Sequence, residues 1–565
     1  MREPPRPAPE RIKPVVAIIK AAKPASVGDW RNQRPVFVKQ LPPCSAGCPA
    51  SEQIRDYIAL ALQDKMAEAW HLIKEDNPIP AVMGRVCYHP CESKCNRVEF
   101  DEAIAIHCLE RRIGDYGLQQ GLRVDAPTKN AHKIAVIGSG PAGLSAAYHM
   151  ARRGYRVTVY DAGAEPGGML RYGIPSYRLP KDVLDAEIAG IAALGVDFVN
   201  DAALGKNLSW DALRDFDGVV LSVGCSVGRS LDIPGAGQSG VYDGLSFLHA
   251  VNSGAGMPDI AGAKVLVIGG GNVAIDVGRV AKRLGAREVS MAFLESENKM
   301  PAYPEEQADA RAEGVSFLPG RHFLEFQSAG GRVSGVRCVR ISSFRFEPQS
   351  GPIVDVMPNS EHVLEADVVV VAIGQQAALG FLPLELADKW TAVAAGAAAR
   401  SGRHWIVGAG DAAEGPSSVV RAVGGGKRAA KTLDALLQGR DQPVDEHIPP
   451  VGFERLNMAY FANAPRRQPP HGDPAVRILG FDEVVGELPN EAFRAEAERC
   501  FHCGDCNFCS NCWVFCPEAS IQKSGDVEGA NGLPRFEVEY NSCKGCGICM
   551  HECPRAAIVM QEEAR

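Results

Sequence analysis

No stretch of this chain approaches the roughly 20 apolar residues that a helix needs to span a bilayer, so no membrane association is expected. Its start, MREPPRPAPERIKP, has no apolar core of the kind found in export signals, and the expected location is cytoplasmic. A long basic run is also missing. With Lys+Arg 60 against Asp+Glu 68 and a formal net charge of −8, nucleic acid is not an expected partner. No nucleophile–base arrangement stands out, and His89, His107 and His551 show neither metal-pair nor triad spacing. Such an absence is expected where bound cofactors do the chemistry and the protein positions and tunes them.

What it has in quantity is glycine, 59 residues, and cysteine, 18 residues. A length of 565 residues implies three to five domains at about one per 100–200 residues, and the glycine and 46% hydrophobic content suit an α/β protein. Fifteen of the 18 cysteines fall in two groups with gaps mostly of two or three residues, which suits metal ligation better than a disulfide framework. Cys108, Cys225 and Cys338 stand alone and read as small buried hydrophobes.

The stretch KIAVIGSGPAGLSAAYHMARRGYRVTVYD, residues 133–161, carries a dinucleotide fingerprint in full context. The apolar run Ile134–Ile137 predicts a buried parallel strand, Leu144–Arg153 a helix, and Val157–Tyr160 a second strand ending on Asp161. Gly138 permits the tight turn, Gly140 lets backbone approach a pyrophosphate, and Gly143 lets helix and strand pack closely. Asp161 is placed to accept from a ribose hydroxyl. A second fingerprint, KVLVIGGGNVAIDVGRVAKRLG, follows with Gly269, Gly271 and Ala274, and its second strand, Val289–Phe293, ends in Leu294–Glu295. A carboxylate there favours the free 2′-hydroxyl of NAD over the phosphate of NADP, although Lys299 or Arg283 could still reach a phosphate. Beyond the run Asp367–Ile373, HWIVGAGDAAEGPSSVV returns to the first unit, with Gly410–Asp411 at a strand end and a helix starting near Ser417. Its helix N-terminus suits a second stretch of a flavin nucleotide.

The first cysteine group places Cys44 and Cys48 before a helical stretch, Glu52–Lys74, and Cys87, Cys91 and Cys95 after it. Five thiols around one short helical region predict an iron–sulfur cluster, with zinc as the competing occupant. The second group is more specific. Cys506, Cys509, Cys512 and Cys516–Pro517 form one CxxCxxCxxxCP run, and Cys543, Cys546, Cys549 and Cys553–Pro554 form another. In this two-cluster ferredoxin pattern the last cysteine of each run serves the other cluster. Cys506, Cys509, Cys512 and Cys553 are thus expected on one cubane, and Cys543, Cys546, Cys549 and Cys516 on its neighbour. Cys500 and Cys503 are surplus to the pattern, and spacing leaves their role open.

The expected organisation is an irregular arm over 1–40, a helical iron–sulfur domain over 41–128, a flavin-binding unit over 129–230 and 381–440, and a nicotinamide-binding unit inserted over 231–380. A Pro-rich linker or docking segment covers 441–495, and a ferredoxin covers 496–565. The fold class is α/β with two Rossmann-like domains, an α-helical iron–sulfur domain in front and an α+β bacterial-type ferredoxin behind.

The motifs CxxxCP, GRVCxxPCxxxC, IGSGPAGLSAA, GGMLRYGIPSYRLP, IGGGNVAID, MPAYPEE and GAGD together resemble the small subunit of glutamate synthase over about residues 40–440. Similar modules occur in dihydropyrimidine dehydrogenase and ferredoxin–NADP transhydrogenases. The resemblance implies FAD on Gly138, Gly140, Pro141, Ala142, Gly143, Asp161, Gly168, Arg178, Gly410, Asp411 and Val419. It implies a nicotinamide cofactor on Gly269, Gly271, Asn272, Val273, Ala274 and Glu295, and a cubane near the flavin. The family's further ligands upstream of Cys44 are absent, so one N-terminal cluster is expected. Glu110 matches a Gln or Glu ligand of some relatives and is a candidate beside Cys48, Cys87 and Cys91. NADP-type members carry paired Arg where this chain has Leu294–Glu295.

The C-terminal ferredoxin resembles the small iron–sulfur subunit of 2-oxoacid:ferredoxin oxidoreductases. The combination implies the NAD(H)-reacting subunit of a hetero-oligomer with a thiamine-diphosphate-dependent 2-oxoacid oxidoreductase. A stand-alone NAD(P)H:ferredoxin oxidoreductase, a glutamate synthase small subunit, and a docking subunit with a silent nicotinamide site are the alternatives.

Overall fold

The apolar run that opens the first fingerprint forms the strand Lys133–Ile137, near the middle of a six-stranded sheet. The computed structural model describes residues 31–256, 259–347, 351–382, 398–401, 404–441, 448–528 and 531–563. Across the six-stranded sheet the order is Ala398–Ser401, His404–Gly408, Gly218–Leu221, Lys133–Ile137, Arg156–Tyr160 and Val196–Val199. All neighbours are parallel except the first pair. Covered on both faces, the central strands have no alternation to display, and Ile134, Val136, Val219 and Val220 are all buried.

His404–Gly408 pairs with Gly218–Leu221, so the chain leaves this sheet and comes back to it. Between the two strands lies a second, all-parallel sheet in the order Val315–Leu318, Glu288–Ala292, Lys264–Ile268, Val368–Val371 and Val241–Asp243. An antiparallel meander beginning with Arg321–Ala329 and Arg332–Glu347 packs on it through Phe323, Phe326 and Val336 against Leu266, Ile268 and Val369. Cys338 lies in that same core.

The N-terminal region is helical: Ile54–Leu62, Met66–Lys74, Pro80–Val86 and Ile106–Gln119. The helical stretch expected over Glu52–Lys74 is broken at Asp64, which adopts φ 60°. Asp tolerates that left-handed conformation better than most side chains, and the break folds the two helices back on each other.

At the C-terminus a hairpin of Ile521–Glu528 with Pro534–Val538 and two short helices, Asn511–Val514 and Ile548–His551, precede the strand Ile558–Glu562. That strand pairs antiparallel with Gln33–Phe37. The irregular arm expected over 1–40 therefore needs correction at these residues. Their partner edge lies at the far end of the chain, where no local pattern can reveal it. Residues 1–30 fall outside the described residues.

The Pro-rich segment after 448 is tied down along its length. Arg466 pairs with Glu92, Arg477 with Asp309 and Glu313, and Glu483 with Arg85 and Arg111. Its own Val484 is buried in the core of the second sheet and its Leu488 and Phe493 in that of the helical region, so the segment straps the helical region to the second sheet. Among the described residues no helix is long and apolar enough to cross a membrane.

Candidate functional site

The two fingerprints have nearly the same local geometry. Gly138 and Gly269 take φ of +100° and +138°, and a Cβ there would lie 2.5 Å from the Ser222 carbonyl oxygen and 2.2 Å from that of Ala372. Only glycine fits these turns. The second glycines behave in the opposite way, since a Cβ on Gly140 or Gly271 would meet nothing within 4 Å. Open space at the start of the helices Pro141–Arg152 and Asn272–Arg283 is what an approaching pyrophosphate requires, and the free backbone N–H groups there favour an anion. At the third position Gly143 is irreplaceable, because a Cβ would come within 1.8 Å of the Gly138 carbonyl oxygen. Ala274 is fully buried and fits the roomier second turn. Both cradles fit a dinucleotide.

Around the first cradle, Asp161 ends its strand as expected. Its carboxylate accepts from the Ser139 backbone N–H and hydroxyl at 2.6 Å each and from the Gly163 N–H at 2.7 Å. Two lone pairs on each oxygen leave room for a ribose hydroxyl as well. Gly168 packs on Gly140, where a Cβ would sit 2.8 Å from its Cα, and Gly410 packs on Ala142. Asp411 accepts from the Ser417 hydroxyl at 2.7 Å, and burial raises its pKa. Val419, half-buried, begins the helix Val419–Leu437 that packs along Pro141–Arg152. Arg178 makes its contacts elsewhere: its guanidinium pairs with Asp276 at 2.8 Å and Glu306 at 2.8 Å, locking the first unit to the second fingerprint's helix. At the second cradle the Asn272 side chain accepts from the Tyr303 N–H, Val273 follows it into the helix, and Glu295 is half-buried in the bend after the strand Glu288–Ala292, which stops short of the expected Phe293.

The N-terminal thiols divide. Cys48, Cys87 and Cys91 are buried and each bears electrostatically on the other two. Burial pushes the Cys87 and Cys91 thiols well up, as it does for any thiolate without a cation. Glu110 and Glu52 face this group, the first acting on Cys87 and Cys48 and the second also on Cys48. Asn77 Nδ2 donates to both carboxylates, at 2.7 and 3.1 Å. Burial raises Glu110 far above the ordinary carboxylate range and Glu52 to about 8. Three thiols and two carboxylates packed with no countercharge at contact distance among the described residues suit a positively charged metal cluster. Glu52, Asn77 and Ser139 carry no motif and were not readable from the sequence. Cys44 and Cys95 are grouped with Cys500 and Cys503, while Cys44 also acts on Cys91.

In the C-terminal unit one cavity is lined by Cys506, Cys509, Cys512 and Cys553, and another by Cys516, Cys543, Cys546 and Cys549. His89, Glu92 and His107 also bring ligand atoms within 4.8 Å of one another. Glu92 there accepts from His107 at 2.8 Å and pairs with Arg466, so its charge is already answered.

The thiol groups abut the first cradle. A Cβ on Gly424, in the helix Val419–Leu437, would lie 2.1 Å from the Pro49 carbonyl oxygen, next to Cys48, and Lys427 donates to the Ala50 carbonyl at 2.8 Å. Gly424→Ala is expected to lift the helical region off this helix. Stopped-flow absorbance should then show slower reduction of downstream acceptors after a normal first reduction at the cradle. Unchanged acceptor rates would mean that this contact does not carry electrons.

Residues 132–426 match the pyridine nucleotide-disulphide oxidoreductase family, 32–122 the 4Fe-4S domain II of dihydropyrimidine dehydrogenase, and 536–559 a 4Fe-4S binding domain. The chain is 36% identical over 501 residues to the NADP(+)-dependent formate dehydrogenase subunit beta of Moorella thermoacetica, covering 82% of this chain and 70% of that one. It is 33% identical over 513 residues to the NADPH-Fe(3+) oxidoreductase subunit beta of Geobacter sulfurreducens, covering 82% and 75%. Over 402 residues it is 36% identical to the NAD-dependent dihydropyrimidine dehydrogenase subunit PreT of Escherichia coli, covering 70% and 91%.

Proposed function

The chain belongs to the pyridine nucleotide-disulphide oxidoreductase family and is an FAD-dependent NAD(P)H oxidoreductase with [4Fe-4S] domains, and from that premise we propose which residues hold each cofactor and which partner it serves. The observation that supports the reading best is the pair of open glycine cradles, Gly140 and Gly271, with the first set against a buried thiol group.

FAD is held by Gly138, Gly140 and the helix start at Pro141, with Asp161 on its ribose and Asp411 and the Val419 helix at its other end. Gly271, Asn272 and Glu295 hold the nicotinamide dinucleotide. When bound, FAD supplies the exchange between a two-electron hydride and single electrons. The protein's part is to align the two dinucleotides and to keep acceptors close. Arg178 does the first by pinning the two units together through Asp276 and Glu306. The contact of Gly424 with Pro49 does the second. Cys48, Cys87, Cys91 and Glu110 ligate one cluster, and the two C-terminal cavities hold one cubane each.

The proposed cofactor is NAD(H). A carboxylate at Glu295 accepts from a 2′-hydroxyl and repels a 2′-phosphate. Glu295→Gln should lower kcat/KM for NADH about 10-fold or more, the scale of a lost charge-assisted hydrogen bond, and narrow the preference over NADPH. A wild-type chain that prefers NADPH would overturn this assignment. Bleaching of the flavin by NADH under anaerobic stopped flow tests the whole reading, and no bleaching with either nucleotide would leave a docking subunit with a silent site.

The proposed setting is a hetero-oligomer whose other subunit releases low-potential electrons. The two-cubane ferredoxin favours a thiamine-diphosphate-dependent 2-oxoacid oxidoreductase. The likeness to a formate dehydrogenase beta subunit supports a formate-oxidising partner as the second reading. Co-purification from the native cell separates the two.

A further inference from the structure

The thiols that the ferredoxin pattern leaves over have the backbone of cluster-binding loops. In Cys506–Cys509 and Cys543–Cys546 the residue two positions after the first cysteine is left-handed, Phe508 at φ 62° and Gly545 at φ 68°, and its N–H donates to that cysteine's Sγ at 3.4 Å. Cys500–Cys503 repeats this geometry, with His502 at φ 51° and its N–H 3.5 Å from the Cys500 Sγ. A non-glycine residue is uncommon in that conformation, and contacts around the loop hold it there.

Those surroundings belong to the other end of the chain. Arg55 Nη1 donates to the Cys503 carbonyl at 2.7 Å, Arg97 Nη1 to the Arg499 carbonyl at 2.6 Å, and the Gln40 N–H to the Gly504 carbonyl at 2.8 Å. Asn96 Nδ2 approaches the Cys503 Sγ at 3.5 Å. The loop is thereby pressed onto Cys44 and Cys95, the two N-terminal thiols not assigned to the cluster of Cys48, Cys87 and Cys91. Each of the six pairs among Cys44, Cys95, Cys500 and Cys503 interacts electrostatically. The same full set of six holds for Cys506, Cys509, Cys512 and Cys553. Cys44, Cys95, Cys500 and Cys503 are all free thiols, and none of them is exposed.

We propose that Cys44, Cys95, Cys500 and Cys503 hold a further [4Fe-4S] cluster, at the seam between the helical domain and the C-terminal ferredoxin. The proposal rests on the reading of the chain as an iron–sulfur electron carrier and adds a fourth cluster to its three. A single zinc ion is disfavoured. Tetrahedral Zn–S bonds of about 2.3 Å need the sulfurs closer than a cubane does. Among the described residues only His89, Glu92 and His107 bring three ligand atoms within 4.8 Å.

Position gives the cluster its use. Cys44 and Cys48 lie one turn apart at the helix Pro43–Gly47, so the new site neighbours the group beside the flavin cradle. On its other side Arg555 is acted on by Cys500 as well as by Cys506, Cys509 and Cys553 of the first ferredoxin cavity. The fourth cluster closes the gap between flavin domain and ferredoxin, and a chain segment from each end must fold before it can form.

The test is iron and acid-labile sulfide per FAD in the full chain, purified or reconstituted without oxygen. Four cubanes give about 16 irons and three give about 12. Cys500→Ala with Cys503→Ala should lose about four irons with FAD content unchanged, while Cys338→Ala should lose none. Wild-type iron near 12 that the double variant does not lower, or one zinc per FAD in place of four irons, overturns the proposal and leaves the three-cluster reading standing. Iron near zero with no flavin bleaching would instead overturn that reading. Should the double variant fail to fold, alkylation of the native chain decides. Cys500 and Cys503 should resist iodoacetamide until the iron is chelated, and labelling as fast before chelation as after overturns the proposal.

Discussion

Gly143→Ala should yield a chain without FAD and with a lowered melting temperature, whereas Gly140→Ala should yield a chain that folds normally and still fails to hold FAD. The first methyl would sit 1.8 Å from the Gly138 carbonyl oxygen and 2.8 Å from the Ser222 hydroxyl. Neither obstacle is a mobile side-chain end. Gly138 is fixed by its N–H on the Tyr160 carbonyl, and Ser222 by its hydroxyl on the Ile137 and Gly138 carbonyls. Relief requires the helix Pro141–Arg152 to lift from the sheet, although Ala142 through Ala151 are buried along it. Overpacking of this kind costs about 1–3 kcal/mol or more. At Gly140 the backbone is at φ −64°, ordinary for alanine, and the methyl meets no protein atom. Any loss there is a loss of ligand space alone. Flavin absorbance per chain, read beside the melting curve of the apo-protein, separates the two effects. Full FAD occupancy in Gly140→Ala would remove the pyrophosphate from this turn.

How much of this was legible in the sequence follows from how local each signal is. Gly138 to Asp161 could be read because strand, turn, helix and strand are contiguous, and the returning Gly410–Asp411 segment disclosed that one dinucleotide unit is nested in another. The strand pairing of His404–Gly408 with Gly218–Leu221 carries that nesting. The cysteine runs were equally open to reading, since their spacing fixes which thiols can converge. Three features were closed to it. Among the described residues Gln33–Phe37 pairs only with Ile558–Glu562. Cys500 and Cys503 come to Cys44 and Cys95 from the far end of the chain, beyond the reach of any local spacing. Arg178 lies in a motif tied to the flavin, yet its charge is answered across the domain boundary by Asp276 and Glu306, a contact set by packing rather than by spacing.

The same dependence on packing makes Glu313 the position where a single substitution should cost the fold most. Its carboxylate is fully buried and accepts from Arg279 at 2.8 and 3.0 Å, from Arg283 at 2.6 and 3.1 Å, and it pairs with Arg477 Nε at 2.8 Å. Glu306 and Asp309 share Arg279, but Arg283 has no other carboxylate among the described ion pairs and lies 3.8 Å over the Tyr177 ring. Glu313→Ala leaves these guanidiniums buried with too little negative charge, which costs about 3–5 kcal/mol. The exposed pair Arg311–Glu297 nearby is worth about 0–1 kcal/mol, so Glu297→Ala is the matched control. Because Arg477 sits in the strap, the loss should also free that segment, visible as faster proteolysis between 448 and 498. The pH dependence has a definite sign. Burial would raise the Glu313 and Asp309 carboxyls, but hydrogen bonds from Arg283 and Arg279 on the first, and from His471 with the Arg279 and Arg477 charges on the second, hold both down, Asp309 to about 2. A depressed folded pKa stabilises above the unfolded value near 4 and loses that stabilisation as pH falls toward the folded one. Urea midpoints of the wild-type chain should therefore fall between about pH 5 and pH 2 more steeply than those of Glu313→Gln. Equal slopes, or a Glu313→Ala midpoint equal to that of Glu297→Ala, would show that water reaches this cluster and screens it.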